Sequence, residues 1–288
     1  MNWSTLVSAE LLLPMLGSPG LVIVDARFVL AAGDAAAGER DWRESHLPGA
    51  GYVHLDRDLS DHRKPASEGR HPLPDASDFC ATLERLGISP DSQVVVYDAG
   101  DGAMAAARFW WLMKLLGHER VAVLDGGFAR WSELQLPVDA DVPTVARGHY
   151  RAAFRAAMVA SADEVAARIG EPAGWLLDAR APERFRGDVE PLDRVAGHIP
   201  GALNRPYSEN MAEGRFRPSA QLRREFAELL HGRDPAGVIL NCGSGVTACH
   251  NLLAMEHAGL HGARIYAGSW SGWISDPARA VALGDAAA

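Results

Sequence analysis

Cys242 is the residue of this chain whose surroundings best fit nucleophilic chemistry. It follows an apolar run typical of a buried strand, Val238–Leu240, and precedes a loop with glycines at 243 and 245 and then a helical pattern. Glycine allows positive φ, so N–H groups of the loop can turn toward the sulfur, and the helix adds the positive end of its dipole. Such a setting favours the thiolate, the form of cysteine that attacks electrophiles. A free cysteine is more commonly a small buried hydrophobe, and the glycine loop is the reason to favour a reactive thiol here.

Three other kinds of site have similar sequence patterns, and the residues present exclude each of them. A phosphatase loop needs an arginine six residues after its cysteine to bind phosphate, and Ala248 stands there. A hydrolase elbow, G-x-S-x-G, does not fit Ser244, which has glycines directly on both sides. Cys249 and His250 lack partners at zinc or haem spacing, so we predict no metal and no organic cofactor. We expect Cys249 to be a packing residue.

The sequence contains two copies of one pattern. Four short motifs of the first half recur in the same order in the second half: Leu21–Arg27 with Trp175–Arg180, His46–Ala50 with His198–Ala202, Gln93–Asp98 with Gly237–Cys242, and Gly126–Trp131 with Gly268–Trp273. Four matches in one order are hard to produce by chance, so we infer an ancient duplication. The histidines and the Asp-Ala-Arg motifs occur in both copies, so we expect them to brace the fold rather than to catalyse a reaction.

Each copy alternates short apolar runs with helical patterns. This alternation predicts an α/β fold with two tandem domains, each a mainly parallel sheet flanked by helices. Strands are predicted at 94–97, 121–124, 176–178, 238–241 and 264–266, and helices at 79–86, 105–116, 162–169, 219–230 and 247–259. We predict an N-terminal domain over 1–137, a linker over 138–160 and a C-terminal domain over 161–288.

Composition limits the partners and the compartment. The 288 residues carry a formal net charge of −9, which argues against nucleic acid or an anionic membrane surface as the main partner. We see no apolar window long enough for a transmembrane helix, and no basic residues before Leu11–Leu13 that would indicate a signal peptide. Three cysteines cannot form a disulfide framework and suggest a reducing compartment, so we predict a cytoplasmic protein.

The two copies differ where the chemistry is expected. At the position of Cys242 the first copy has Asp98. A carboxylate cannot serve as a sulfur nucleophile in a ring of amides, so we predict that the N-terminal domain is non-catalytic. It can still form one wall of a ligand site, because clefts between domains are favoured binding sites.

These features together resemble the two-domain rhodanese superfamily. The tandem copies, the paired His-x-Pro-Gly-Ala turns and the Cys-Gly-Ser-Gly-Val-Thr-Ala loop carry the resemblance, which covers nearly the whole chain. The loop is similar to the version typical of 3-mercaptopyruvate sulfurtransferases. The resemblance implies that Cys242 takes the sulfur of a small-molecule donor, 3-mercaptopyruvate, and becomes a persulfide. It further implies transfer of that sulfur to a thiol acceptor, such as thioredoxin, or to cyanide.

The resemblance also implies a proton-handling trio. Ser244 of the loop would be joined by His71 and Asp58 from the N-terminal domain. Such a trio could manage the thiol and enolate protons of the donor. Taken from the residues alone, Asp58 and His71 are ordinary surface-loop positions.

Arginines that bind the donor carboxylate are implied in the same way, since a planar guanidinium suits a carboxylate. Arg184 matches the first of them. Arg194 is the second and Arg186 the alternative, because the stretch before Arg194 departs from the commoner Glu-Pro-Arg. The loop residues expected to complete the donor site are Gly243, Gly245, Val246 and Thr247.

Two alternative hypotheses about the function stay open. One is a thiosulfate:cyanide sulfurtransferase, which would use the same cysteine with a different donor. The other is a non-catalytic persulfide carrier that accepts sulfur from a partner protein. A carrier has no need of a site for a donor carboxylate, so Ser244 and Arg184 favour an enzyme.

Overall fold

The chain forms two compact units in a computed structural model that describes residues 1–29, 34 and 36–285. The first unit comprises Met1–Asp61, Pro74–Arg155 and Glu213–Phe216, and the second comprises His62–Leu73, Ala156–Ala212 and the chain from Arg217 onward. The change of unit at Ala156 falls inside the stretch 138–160 predicted as a linker. Segment 62–73, by contrast, groups with the second unit although the sequence prediction put it in the N-terminal domain.

The first unit is built on a parallel sheet of five strands. Its strands are β1 (Leu6–Val7), β2 (Leu21–Asp25), β3 (Gly51–Tyr52), β4 (Gln93–Tyr97) and β5 (Val121–Leu124). Its helices are α1 (Ala9–Leu12), α2 (Ala37–Glu44), α3 (Leu55–Asp58), α4 (Ala76–Arg85), α5 (Ala106–Leu115) and α6 (Gly127–Glu133). The strand order is β1-β5-β4-β2-β3, with every pair parallel. Strand β4 is buried throughout, and its run of valines fits a strand covered on both faces.

The second unit contains a parallel sheet of four strands in the order β11-β10-β6-β7. The strands after β5 are β6 (Leu176–Asp178), β7 (Leu203–Asn204), β8 (Met211–Ala212), β9 (Arg215–Phe216), β10 (Ile239–Asn241) and β11 (Arg264–Ile265). The helices after α6 are α7 (Ala162–Ala167), α8 (Pro182–Arg186), α9 (Ser219–Leu230), α10 (Ala248–His257) and α11 (Ser269–Trp273). Short 3₁₀ helices lie at Leu13–Met15, Ala66–Glu68, Ala156–Met158, Tyr207–Asn210 and Pro235–Gly237.

The predicted α/β architecture is confirmed in both units. The order β5-β4-β2-β3 of the first unit matches the order β11-β10-β6-β7 of the second, as expected of a duplicated pattern. The predicted central strands and helices occur at their expected places; half of their ends coincide with the predicted ends and the others differ by one to three residues. No described helix combines the length and the apolar character that crossing a membrane requires.

The repeated motifs brace the strand ends, in line with the structural role expected of them. Asp25 and Arg27 form a buried ion pair at 2.8 Å, and Asp178 and Arg180 form its counterpart at 2.8 Å. The ring of His198 pairs its Nδ1 with the carbonyl oxygen of Phe185 at 2.8 Å. Because such ion pairs use both oxygens of a carboxylate, they fix the turn that follows the strand.

Candidate active site

Cys242 directly follows β10, at the carboxyl end of an inner strand of the second sheet. In open α/β sheets this edge is where ligands bind. The loop 243–247 then leads into α10. Gly245 has φ of +77°, and a β-carbon placed there would lie 2.3 Å from the carbonyl oxygen of Ala267. The loop can therefore take this course only with glycine at 245.

The sulfur of Cys242 accepts a hydrogen bond from the loop. The N–H of Gly245 donates to Sγ at 3.1 Å, as the glycine pattern predicted. Only 1% of the surface of Cys242 is exposed, so burial alone would also fit a packing cysteine. The amide directed at the sulfur and the charged side chains beside the loop distinguish Cys242 from such a residue.

Ser269 is a further neighbour of the cysteine that the sequence reasoning did not single out. Its Oγ accepts a hydrogen bond from the N–H of Cys242 at 3.1 Å and lies 4.0 Å from Sγ. The same hydroxyl can donate to the carbonyl oxygen of Tyr266 at 3.0 Å. A hydroxyl has one proton to donate, so Ser269 mainly fixes the backbone at Cys242. The sequence feature that could have identified Ser269 is its position in the repeated Gly268–Trp273 motif.

Two guanidinium groups lie against Gly243, the residue after the cysteine. A β-carbon placed on Gly243 would be 3.3 Å from Nη2 of Arg70 and 3.4 Å from Nη1 of Arg184. Arg184 was expected near the loop, whereas Arg70 was not among the candidates. Arg70 directly precedes His71, but nothing in the local sequence indicates that segment 62–73 packs in the second unit.

Acidic residues hold these two arginines in place. Glu190 accepts hydrogen bonds from Nε of Arg184 at 3.2 Å and from its Nη2 at 2.7 Å. Asp193 binds both groups, accepting from Nη2 of Arg184 at 3.2 Å and from Nη1 of Arg70. Burial raises the pKa of Asp193, and the two guanidinium groups oppose this by favouring its carboxylate form. Burial also acts to raise the pKa of Glu190, but the hydrogen bonds from Arg184 and the backbone lower it overall.

His71 and Ser244 lie together in the second unit. The Nδ1 atom of His71 is 2.8 Å from Oγ of Ser244, and both side chains are buried. A histidine hydrogen-bonded to a hydroxyl can move a proton to or from it. The geometry therefore fits two members of the predicted trio.

Asp58, the third member, lies at the end of α3 in the first unit. Its carboxylate accepts hydrogen bonds from the N–H of His54 at 2.7 Å and from Arg85 at 2.7 Å, and it is paired with Arg57 at 3.2 Å. These contacts give Asp58 a structural task within its own unit. Its place in the trio stays a prediction.

The two other candidate arginines, Arg186 and Arg194, have different partners. Arg186 pairs with Asp188 at 2.8 Å, and both side chains are partly exposed. Arg194 donates from Nη2 to the carbonyl oxygen of Ile274 at 2.5 Å.

The remaining loop residues lie between the cysteine and α10. Val246 is buried, and Thr247 is the residue before α10 and makes no side-chain cap. Cys249 is fully buried and donates from Sγ to the carbonyl oxygen of Gly245 at 3.3 Å, which fits the packing role expected of it.

Asp98 stands after β4 in the first unit, as the repeat predicted. Its Oδ1 accepts hydrogen bonds from the N–H groups of Gly102 at 2.9 Å and Gly100 at 3.2 Å. Burial raises the pKa of Asp98 to about 6. The loop of the first copy thus directs its amides at a carboxylate, where the second copy directs one at a sulfur.

Known proteins resemble this chain along its whole length. The family described as Rhodanese-like domain matches residues 8–134 and 161–276. A protein of Pseudomonas aeruginosa named "Probable 3-mercaptopyruvate sulfurtransferase" is 45% identical over 287 residues, which is 99% of this chain and 100% of that protein. The "Putative thiosulfate sulfurtransferase SseB" of Mycobacterium tuberculosis is 40% identical and covers 92% of this chain and 91% of its own length. The crystal structure of SseA from Escherichia coli, one of the 3-mercaptopyruvate sulfotransferases, has a TM-score of 0.80 at 31% identity and covers 93% of this chain and 99% of its own.

Proposed function

Since this chain belongs to the rhodanese family, we propose that it is a sulfurtransferase that moves a sulfane sulfur from 3-mercaptopyruvate, through a persulfide on Cys242, to a thiol or cyanide. The observation that carries the proposal is the cluster around the loop. A buried thiol there accepts an amide N–H, and two guanidinium groups lie beside the next residue. A sulfur anion and an anionic donor both suit such a site.

The first step joins two sulfur atoms. The thiolate of Cys242 attacks the sulfur of the donor, the carbon–sulfur bond breaks, and its electron pair stays on carbon as the enolate of pyruvate. The new persulfide still carries the donor's thiol proton. That proton passes to the enolate carbon, which yields pyruvate and a persulfide anion. The N–H of Gly245 stabilises the negative charge on the sulfur of Cys242 in the starting thiolate.

His71 and Ser244 are the groups we assign to this proton transfer. Their 2.8 Å contact lets the imidazole accept a proton through the hydroxyl and return it to the enolate. We propose Asp58 as the third member of the trio, because the resemblance to the family implies it. Arg184 binds the donor carboxylate, and the loop residues from Gly243 to Thr247 line the donor site.

In the second step an acceptor thiolate attacks the outer sulfur of the persulfide and restores the thiolate of Cys242. We propose a reduced thioredoxin, a small thiol or cyanide as the acceptor. A cytoplasmic location fits this chemistry, because all three cysteines are free thiols.

Replacement of the nucleophile tests the proposal. We expect Cys242→Ser to abolish sulfur transfer, because a serine hydroxyl cannot form a persulfide. Cys249→Ser is the matched control and should keep most of the activity. Intact-protein mass after incubation with mercaptopyruvate should show a gain of one sulfur atom that a reductant removes. Retained transfer in Cys242→Ser would refute the mechanism.

Thiosulfate is the second candidate donor. The similarity to the M. tuberculosis protein named a thiosulfate sulfurtransferase favours it. Thiosulfate would give the same persulfide with sulfite as the leaving group, and no proton would be needed on carbon. Steady-state rates with each donor separate the two candidates. If neither donor gives transferable sulfur, both enzyme proposals fail.

A further inference from the structure

We propose that Ser271 is a positioning residue for the proton transfer and that it fixes His71 at hydrogen-bonding distance from Ser244. The proposal rests on the proposed function, because it concerns the pair assigned to the proton of the donor. It is carried by two hydrogen bonds that meet at one residue. Ser271 binds the residue before His71 and also the residue before Ser244.

The first of these bonds reaches the loop that follows Cys242. The backbone N–H of Ser271, in the first turn of α11, donates to the carbonyl oxygen of Gly243 at 2.9 Å. The same peptide group contains the N–H of Ser244, which points away from the carbonyl because the peptide is trans. Ser271 therefore fixes the peptide plane from which Ser244 starts.

The second bond reaches the segment that carries His71. The backbone N–H of Arg70 donates to Oγ of Ser271 at 2.9 Å. The hydroxyl of Ser271 has one proton of its own, and the carbonyl oxygen of Gly268 lies 3.5 Å from Oγ to accept it. The hydroxyl can therefore donate to one residue and accept from the other. The backbone one residue before His71 is thereby held against α11.

The segment that carries His71 lies in close contact with the backbone of α11. A β-carbon on Gly69, which has φ of +90°, would lie 2.5 Å from the carbonyl oxygen of Gly268. A β-carbon on Gly272 would lie 2.7 Å from the carbonyl oxygen of Ser67. This close approach brings the N–H of Arg70 within direct reach of a side chain as short as that of serine.

The first copy of the repeat shows that the backbone bond does not depend on the hydroxyl. Ala129 occupies the position of Ser271 in the repeated motif, and its N–H donates to the carbonyl oxygen of Ala99 at 2.9 Å. Ala99 corresponds to Gly243, so both copies make the same backbone bond at the same place. Only the copy with the cysteine has a hydroxyl at this position. We therefore assign the hydroxyl to the chemistry of that copy rather than to the fold.

Replacement of Ser271 by alanine is the test. Ser271→Ala removes the hydroxyl and leaves the backbone bond to Gly243, since Ala129 makes the same bond in the first unit. The rate of pyruvate formation from mercaptopyruvate in a single turnover should fall by about three- to tenfold, the effect of one neutral hydrogen bond. Sulfite release from thiosulfate should keep its wild-type rate, because that reaction needs no proton on carbon. A folding defect would lower both rates, so a difference between the donors is specific to the proton transfer.

A double variant tests whether Ser271 acts through His71. In a His71→Gln background the imidazole is absent, so Ser271→Ala should cause no further loss with mercaptopyruvate. Ser275→Ala is the matched control. Its hydroxyl donates to the carbonyl oxygen of Gly272 at 2.7 Å, so the control also removes one serine hydroxyl bonded to α11. It should equal the wild type with both donors.

The outcomes separate this proposal from the function on which it rests. If the wild type transfers sulfur from no donor, the proposed function fails. If the wild type is active and Ser271→Ala lowers both rates equally, or neither, only the role of Ser271 is wrong. An equal further loss in the His71→Gln background would also overturn that role, because Ser271 would then act independently of His71. If the wild type uses mercaptopyruvate alone, the double variant decides the question.

Discussion

Gly245→Ala is the substitution with the best-defined structural effect on the loop. The φ of +77° is a left-handed conformation, which costs a residue with a side chain about 1–2 kcal/mol. The new β-carbon would also lie 2.3 Å from the carbonyl oxygen of Ala267, far inside van der Waals contact. Overpacking of a buried site costs about 1–3 kcal/mol. We therefore expect the free energy of unfolding to fall by about 2–5 kcal/mol.

Gly232→Ala is the matched control. Gly232 also has positive φ, +81°, but a β-carbon there meets nothing within 4 Å. The control should lose only the conformational part, about 1–2 kcal/mol. Urea unfolding followed by tryptophan fluorescence gives both values.

Gly245→Ala should also slow the formation of the persulfide. The N–H of Gly245 donates to Sγ of Cys242, and a displaced loop removes this hydrogen bond. A hydrogen bond to a charged group contributes about 1.5–3 kcal/mol, so persulfide formation should slow by about ten- to hundredfold. Single-turnover measurements by intact mass give the rate. If Gly245→Ala and Gly232→Ala are equal in stability and in rate, the assigned role of the loop is wrong.

Two further predictions concern protons. We expect His71→Gln to slow sulfur transfer from mercaptopyruvate by about 10²–10⁴-fold and transfer from thiosulfate much less. Only the reaction with mercaptopyruvate needs a proton on carbon, to form pyruvate. Equal losses with both donors in parallel rate measurements would contradict the role assigned to His71. Burial raises the pKa of Asp98 from 3.8 to about 6, so its stabilising contribution is complete below its ordinary pKa and is lost as pH rises through about 6. Between pH 4 and pH 7 the free energy of unfolding of the wild type should fall by about 2 kcal/mol relative to that of Asp98→Asn. Urea unfolding that gives the same difference between the two proteins at both pH values would exclude this.

The α/β architecture can be predicted from the sequence because both halves of the chain contain the same pattern of apolar runs and helical segments. Apolar runs such as Val94–Val96 are strong local signals for buried parallel strands, and each has a counterpart in the second half. The loop at Cys242 is equally local, since glycine is needed for the backbone itself at 245. These features depend on residues that are neighbours in the chain.

The ion-pair cluster beside Gly243, formed by Arg70, Arg184, Glu190 and Asp193, could not be predicted from the sequence in this way. Arg70 and Asp193 are 123 positions apart, and their ion pair depends on segment 62–73 packing in the second unit. Charged residues in a loop have no periodicity that predicts which of them will be buried together. Arg194, which the resemblance implies for the donor carboxylate, contacts the backbone at Ile274, and its role stays a prediction.

The grouping of segment 62–73 with the second unit has a consequence for how the protein can be divided. Here a fragment that begins at Ala156 would retain Cys242 but would lack Arg70 and His71. During synthesis Arg70 and His71 leave the ribosome long before Ser271 and Ser244, which they contact, so the catalytic centre can be completed only after most of the polypeptide has been made.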